Sequence, residues 1–137
     1  LDSMTATVTY ESNLRTTCVH LQSGSPIETD APTDNKGKGE RFSPTDLIAT
    51  GLGACMITTM GIKAESMDIA LDGAKVEVTK VMVSDPRRIG KIVAHVTIPA
   101  LNLDEKTKEI LERVARTCPV ERSLHPDVEL DIAFNWQ

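Results

Sequence analysis

The segment from Arg41 to Ser66, "RFSPTDLIATGLGACMITTMGIKAES", limits the possible folds of this 137-residue chain more than any other. Ser43 followed by Pro44 indicates a helix start, because serine caps free N–H groups and proline suits the first helical turn. Asp46 comes three residues after the cap, where a carboxylate complements the same N–H groups. Apolar residues then recur at helical spacing and place Cys55 on or beside the buried face. The segment therefore predicts one long core helix.

Small residues surround this cysteine, namely Gly51, Gly53 and Ala54. A glycine inside a helix costs about 1 kcal/mol relative to alanine, so we expect a compensating close contact. We predict that these residues let the central helices of two subunits approach closely. On that hypothesis, substitution of Gly53 by leucine would weaken a dimer.

Alternating apolar and polar residues predict strands on both sides of the helix. Asp104 is predicted to cap a second helix over residues 104–117. Cys118, which precedes Pro119, is predicted to cap a short helix over 119–125. The resulting order, β-β-(β)-α-β-β-α-α-β, indicates an α+β domain. The predicted strands cover residues 5–11, 14–22, a short stretch within 27–32, 73–84, 91–100 and 128–136.

Composition narrows the class of protein further. We expect a single domain over residues 4–137, with residues 1–3 ahead of Met4 outside it as an expression remnant. A formal charge of -5 argues against nucleic acid as the main partner, because phosphate binding needs clustered lysine and arginine. We expect no membrane-spanning run and no signal peptide, and hence a cytoplasmic protein. The histidines and cysteines form no ligand pattern, so no metal is expected.

Three cysteines leave two interpretations open. Cys18 lies on a predicted strand and is expected to be structural, whereas Cys55 and Cys118 are either small buried hydrophobes or reactive thiols. A reactive thiol must ionise. Cys118 has a helix N-terminus to favour its thiolate, whereas Cys55 lies in mid-helix and would need a nearby cation. The candidate cations are Arg15, Arg41 and Lys63, and spacing does not choose among them.

The sequence "SPTDLIATGLGAC", followed 63 residues later by "CPVERSL", resembles the OsmC/Ohr family of thiol-dependent peroxidases. The resemblance extends over nearly the whole chain. It implies an OsmC/Ohr-like α+β fold, with antiparallel sheets, a long central helix and an intertwined homodimer.

The resemblance also implies a mechanism, a substrate class and partners. By the match to "GLGAC", Cys55 would be the peroxidatic residue that attacks a small organic hydroperoxide or hydrogen peroxide. By the match to "CPV", Cys118 would be the resolving residue that forms a disulfide with it. No cofactor is implied, and an external dithiol reductant such as a lipoyl or thioredoxin-type protein would restore the thiols. Arg15, in "NLRTT", resembles the arginine that stabilises the peroxidatic thiolate, and the implied role is defence against oxidative stress.

One position departs from the family pattern. Thr45 occupies the place, ten residues before the first cysteine, where the best-studied peroxidases carry a glutamate. Asp46 is one residue too late, because one step along a helix turns a side chain by about 100°. The chain is therefore similar to a less characterised branch. Two alternatives stay open, namely a member without efficient peroxidase activity that binds a small apolar or electrophilic ligand at the dimer pocket, and a structural protein with inert thiols.

Overall fold

The computed structural model describes residues 3–137, so the expectation about residues 1–3 lies largely outside the described part of the chain. The order of elements matches the predicted α+β order, including the short third strand. The elements are β1 (Ala6–Tyr10), β2 (Arg15–His20), β3 (Pro26–Asp30), a 3-10 turn (Thr33–Asn35), α1 (Pro44–Ser66), β4 (Lys75–Val83), β5 (Arg88–Ile98), α2 (Glu105–Ala115), α3 (Pro119–Ser123) and β6 (Glu129–Trp136).

The chain divides into two compact units, one ending at Leu47 and one spanning Ile48–Gln137. The first unit contains the antiparallel sheet β1-β2-β3. The second contains the sheet β4-β5-β6, in which β6 runs parallel to β5. The expectation of purely antiparallel sheets is therefore wrong for this pair. α2 and α3 lie between β5 and β6 in the chain, and a crossover of this kind lets the second strand run in the direction of the first. The expectation of a single domain stays a prediction.

α1 starts at the predicted cap. The Ser43 Oγ accepts a hydrogen bond from the Asp46 N–H at 3.0 Å, and the Asp46 carboxylate accepts one from the Ser43 N–H at 2.9 Å. This reciprocal arrangement satisfies two N–H groups that a helix start otherwise leaves open. It explains why α1 begins at Pro44 and assigns the Asp46 side chain to the helix start.

The hydrophobic core lies in the second unit, where one face of α1 packs on the sheet and on α2. Leu52, Met56 and Met60 of α1 are fully buried, as are Ile92 of β5 and Leu111 of α2. Removing a side chain of this size from water contributes about 1.5–3 kcal/mol. This packing fixes the rotation of α1 about its own axis.

The opposite face of α1 is open to solvent and is made of small and apolar residues. Ile48, Gly51, Ala54, Thr58 and Ile62 follow one another at helical spacing, and Ile62 is 68% exposed. By length and composition alone α1 could cross a membrane, so the expectation that no run reaches that length is wrong. A core helix of a soluble protein has the same composition, and one face of α1 is buried in this way.

Gly53 faces a strand of its own unit. A Cβ added there would lie 3.0 Å from Val78 Cγ1 and 3.3 Å from Val76 Cγ1, both on β4. The hypothesis that Gly53 mediates contact between two helices is therefore wrong. Gly51 has no atom within 4 Å of its would-be Cβ and lies on the open face.

A buried ion pair supports the first unit. Among residues 3–47 the buried side chains are all polar: Thr29, Asp30 and Ser43. The Arg15 guanidinium donates to both carboxylate oxygens of Asp30, at 2.7 and 2.8 Å, and the Glu40 N–H donates to Asp30 at 3.1 Å. Asp30 is 1% exposed, and the hydrogen bonds from Arg15 lower the pKa of its carboxyl below the usual value. In the first unit, the hydrogen-bonded carboxylate of Asp30 is thus buried where apolar side chains would usually form a core.

The contact of Gly53 with β4 predicts that Gly53→Leu destabilises the fold itself. Overpacking of this kind costs about 1–3 kcal/mol in the free energy of unfolding, measured by urea denaturation. Lys106→Leu is the control, because it adds a leucine at an exposed helical position on α2. An unchanged urea midpoint for Gly53→Leu would contradict the close approach of helix and strand.

The lowered pKa of Asp30 predicts a pH-dependent contribution to stability. A carboxyl whose pKa is lower in the folded state stabilises the fold above its unfolded pKa of about 4, and this contribution is lost as the pH falls through its folded pKa. The difference in unfolding free energy between wild type and Asp30→Asn should therefore shrink between pH 7 and pH 2. Urea titrations across this range measure it, with the exposed Glu11→Gln as control. A constant difference would refute the proposed charge dependence.

Candidate active site

Cys55 lies in the middle of α1, at the edge of the buried face. It is half-buried and packs against the core cluster of the second unit. Its backbone carbonyl accepts a hydrogen bond from the Thr59 hydroxyl at 2.7 Å, one turn further along the helix. The buried neighbours Leu52 and Met56 hold this turn in place, so the direction of the Cys55 side chain is set by the core.

Cys118 caps α3, as the sequence predicts. Its backbone is extended, Pro119 opens the helix, and Sγ accepts the Glu121 N–H at 3.4 Å. The side chain is 0% exposed and belongs to the same core cluster that Cys55 contacts. The cysteine is therefore both a helix cap and a core residue.

The fold brings the two predicted cysteines together. Both belong to or pack against the core cluster of the second unit, and, after burial, the neighbouring Cys55 also raises the pKa of Cys118. Both thiols are free in this structure. A disulfide between them would bring the two sulfur atoms to about 2.05 Å.

The environment of Cys118 favours the protonated thiol. Burial raises its pKa above the usual value, and the Glu121 N–H at the helix start lowers it by less. The helix terminus thus acts in the expected direction, but desolvation is the larger effect. The neighbouring Cys55 raises the pKa of Cys118 further.

The three candidate cations have different surroundings. Arg15 is paired with Asp30 and also donates to Glu40 at 3.1 Å, which raises the pKa of its guanidinium. Arg41 pairs with Glu28 at 3.0 Å. Lys63 is exposed and lies eight residues after Cys55 on α1, which corresponds to about 12 Å along the helix axis. Within α1 itself, distance therefore argues against Lys63 as a partner of Cys55.

Thr45 belongs to the start of α1. Its hydroxyl lies 3.2 Å from the Ser43 hydroxyl, within the cap. The carboxylates that pair with Arg15 instead come from Asp30 and Glu40. Asp30 faces Arg15 across β2 and β3, and this pairing depends on strand register, for which the sequence contains no direct signal.

An apolar cavity of 190 Å³ lies beside the turn of α1 that carries Cys55. A cavity of this size would hold only a small molecule. Among residues 3–137, no group of three His, Cys, Asp or Glu side chains is placed to hold a metal ion. The cavity is lined by Thr50, Gly53, Ala54, Ile57, Val76 and Val78.

Comparison with known proteins identifies the family. The model of the OsmC-like protein family matches residues 37–133. A crystal structure from Psychrobacter arcticus, provisionally described as an osmotic stress induced and detoxification response protein, is 49% identical, with a TM-score of 0.94 over 98% of each chain. A hydroperoxide reductase from Mycoplasma genitalium is 25% identical over 89% of this chain and 85% of its own length.

More distant structures share the fold. An organic hydroperoxide resistance protein OsmC from Legionella pneumophila is 18% identical, with a TM-score of 0.76 over 98% of each chain. At this identity the likeness concerns architecture, and it agrees with the two sheets and the long helix described above. The match of the family model and the similarity to the Psychrobacter structure lead to one conclusion: the chain belongs to the OsmC-like protein family.

Proposed function

We propose that this protein is a thiol-dependent peroxidase that reduces organic hydroperoxides or hydrogen peroxide through Cys55 and Cys118. The proximity of the two cysteines in the core of the second unit is the observation that carries the proposal. An inert buried cysteine needs no second cysteine beside it, whereas a redox pair requires the contact. The Mycoplasma protein named hydroperoxide reductase and family membership support the same activity.

In the first step the Cys55 thiolate attacks the terminal oxygen of the hydroperoxide. A sulfur–oxygen bond forms and the O–O bond breaks, so Cys55 becomes a sulfenic acid and the substrate leaves as an alcohol or water after taking up a proton.

In the second step Cys118 attacks the sulfenic sulfur. A disulfide forms, the S–OH bond breaks, and the hydroxyl leaves as water with the proton of the Cys118 thiol. A dithiol reductant, such as a lipoyl or thioredoxin-type protein, then restores both thiols by exchange and becomes oxidised to a disulfide. No cofactor takes part in this cycle, which we propose to serve oxidative stress defence in the cytoplasm.

Arg15 is the cation that we propose to stabilise the Cys55 thiolate, and Thr45 holds the place of the family glutamate. Two carboxylates fix the guanidinium, and its Nη1 has no hydrogen-bond partner among residues 3–137. A positioned guanidinium with free donors suits an anionic ligand. This arrangement supports the role of Arg15, while Thr45 contributes a hydroxyl group and no charge.

We further propose that the protein works as a homodimer. α1 is apolar on all sides, yet its own chain covers only one face. The open face of α1, defined above from Ile48 to Ile62, is rich in small residues that allow a second helix to approach closely. A second copy of this chain offers the matching surface. In this contact Gly51, and not Gly53, is the glycine that lets the two helices approach closely.

The catalytic proposal predicts that Cys55→Ser abolishes peroxide reduction. Wild type should consume one equivalent of tert-butyl hydroperoxide or hydrogen peroxide per chain. Mass spectrometry should then detect a Cys55–Cys118 disulfide. Cys118→Ser should still consume one equivalent and then stop, because the sulfenic acid finds no second thiol. Cys18→Ser is the matched control and should keep full activity.

Two results would contradict the catalytic proposal. Peroxide reduction that survives Cys55→Ser would show that the role of this residue is wrong. A ligand-dependent rise in melting temperature without any loss of peroxide would favour the alternative, in which a small apolar or electrophilic molecule binds near Cys55.

The dimer proposal predicts that Ile62→Lys shifts the sedimentation coefficient from that of two chains to that of one. A charge on the open face of α1 would be buried without a partner in the dimer, which is strongly unfavourable. Lys106→Glu on α2 changes an exposed charge away from this face and should leave sedimentation unchanged. A dimer that persists in Ile62→Lys would exclude this face as the contact.

A further inference from the structure

The connector between α2 and α3 carries Cys118 and is very short. α2 ends at Ala115 and α3 begins at Pro119, so only Arg116 and Thr117 separate the helix end from the cap cysteine. The Arg116 N–H closes the end of α2 by donating to the Arg113 and Val114 carbonyls, and the Thr117 hydroxyl donates to Val114 at 2.7 Å. The backbone that positions the Cys118 sulfur is thus tied to α2.

An ion pair spans this connector. The Nε of Arg116 donates to the Glu121 carboxylate at 2.8 Å, from the last residue of one helix end to the first turn of the next helix. The Glu121 backbone N–H donates to the Cys118 sulfur at 3.4 Å. Glu121 therefore holds the connector with its side chain and the sulfur with its backbone, so a rotation of α3 against α2 would break the ion pair.

We propose that Arg116 and Glu121 are positioning residues for the disulfide-forming step, and that their ion pair keeps the Cys118 sulfur against Cys55. This inference rests on the proposed function. The step needs the two sulfurs in a geometry from which the S–S bond forms as the S–OH bond breaks and the thiol proton leaves with the hydroxyl as water. The attack of the Cys55 thiolate on peroxide does not use the connector.

The exposure of the Arg116 and Glu121 side chains sets the size of the expected effect on the rate of disulfide formation. The side chains of Arg116 and Glu121 are 43% and 19% exposed, so solvent screens their attraction. A pair in this setting changes an equilibrium or a rate by about twofold to fivefold. We therefore expect a partial slowing of disulfide formation and no loss of the fold.

The test compares Arg116→Gln with Arg122→Gln. Both remove one positive charge next to the connector, but Arg122 forms no ion pair among the described residues. Stopped-flow mixing with tert-butyl hydroperoxide, with a single turnover followed, measures peroxide loss and disulfide formation separately. In Arg116→Gln the rate of peroxide loss should stay as in wild type, and the rate of disulfide formation should fall about twofold to fivefold. Dimedone should then trap more Cys55 sulfenic acid. Arg122→Gln should match wild type in all three readouts.

A charge exchange shows whether the pair itself is responsible. The double variant Arg116→Glu with Glu121→Arg should recover most of the rate of disulfide formation, because it restores the attraction with the partners exchanged. Equal slowing of both steps in Arg116→Gln would point to a general loss of structure and overturn the inference. So would a rate of disulfide formation equal to that of Arg122→Gln, or an exchange that restores nothing.

Oxidation by diamide separates this inference from the proposed function. Diamide oxidises two thiols to a disulfide and is itself reduced to the hydrazine, so it requires adjacent sulfurs but no peroxide chemistry. If wild type consumes no peroxide, the peroxidase proposal fails, yet the diamide rates still compare the variants. Slower formation of the Cys55–Cys118 disulfide in Arg116→Gln than in Arg122→Gln then supports the inference, and equal rates overturn it.

Discussion

The proposed function depends on the proximity of Cys55 and Cys118, which ordinary core packing makes possible. Cys55 points to its partner because Leu52 and Met56 face the core and fix the rotation of α1. A change of one residue in that rotation would turn the sulfur away by about 100°. Cys118 reaches the same place because a two-residue connector joins α2, which packs on the core, to the cap of α3. The chemistry is thus positioned by apolar side chains that take no part in it.

The local features of the fold could be predicted from the sequence because their causes are local. The Ser43 cap, the Asp104 cap and the Cys118 cap each depend on residues within one helical turn, and all three are present. The strands follow from alternation over a few residues, and their observed bounds differ from the predicted ones by only a few residues. The pairing of the cysteines came from resemblance to a family, since no local pattern links positions 63 residues apart.

The features that could not be predicted depend on contacts between distant segments. The parallel direction of β6, the strand partner of Gly53 and the pairing of Arg15 with Asp30 all arise from how elements meet, which spacing along the chain does not encode. The protonation of Cys118 also depends on the assembled structure. The helix terminus is visible in the sequence, whereas the complete burial that outweighs it is a property of the assembled core. Burial, the largest influence on the pKa of Cys118, therefore cannot be read from the sequence.

The cap of α3 has an implication for why the residue at position 118 contains sulfur. An oxygen at this place would serve the helix better, since serine, threonine, asparagine and aspartate are the side chains that helix starts prefer, and a sulfur accepts hydrogen bonds only weakly. Serine is nearly the same size as cysteine and would fit the backbone that Cys118 adopts. Helix capping alone thus favours an oxygen at position 118, where the chain has sulfur. What sulfur can do there and oxygen cannot is form a covalent bond to the sulfur of Cys55.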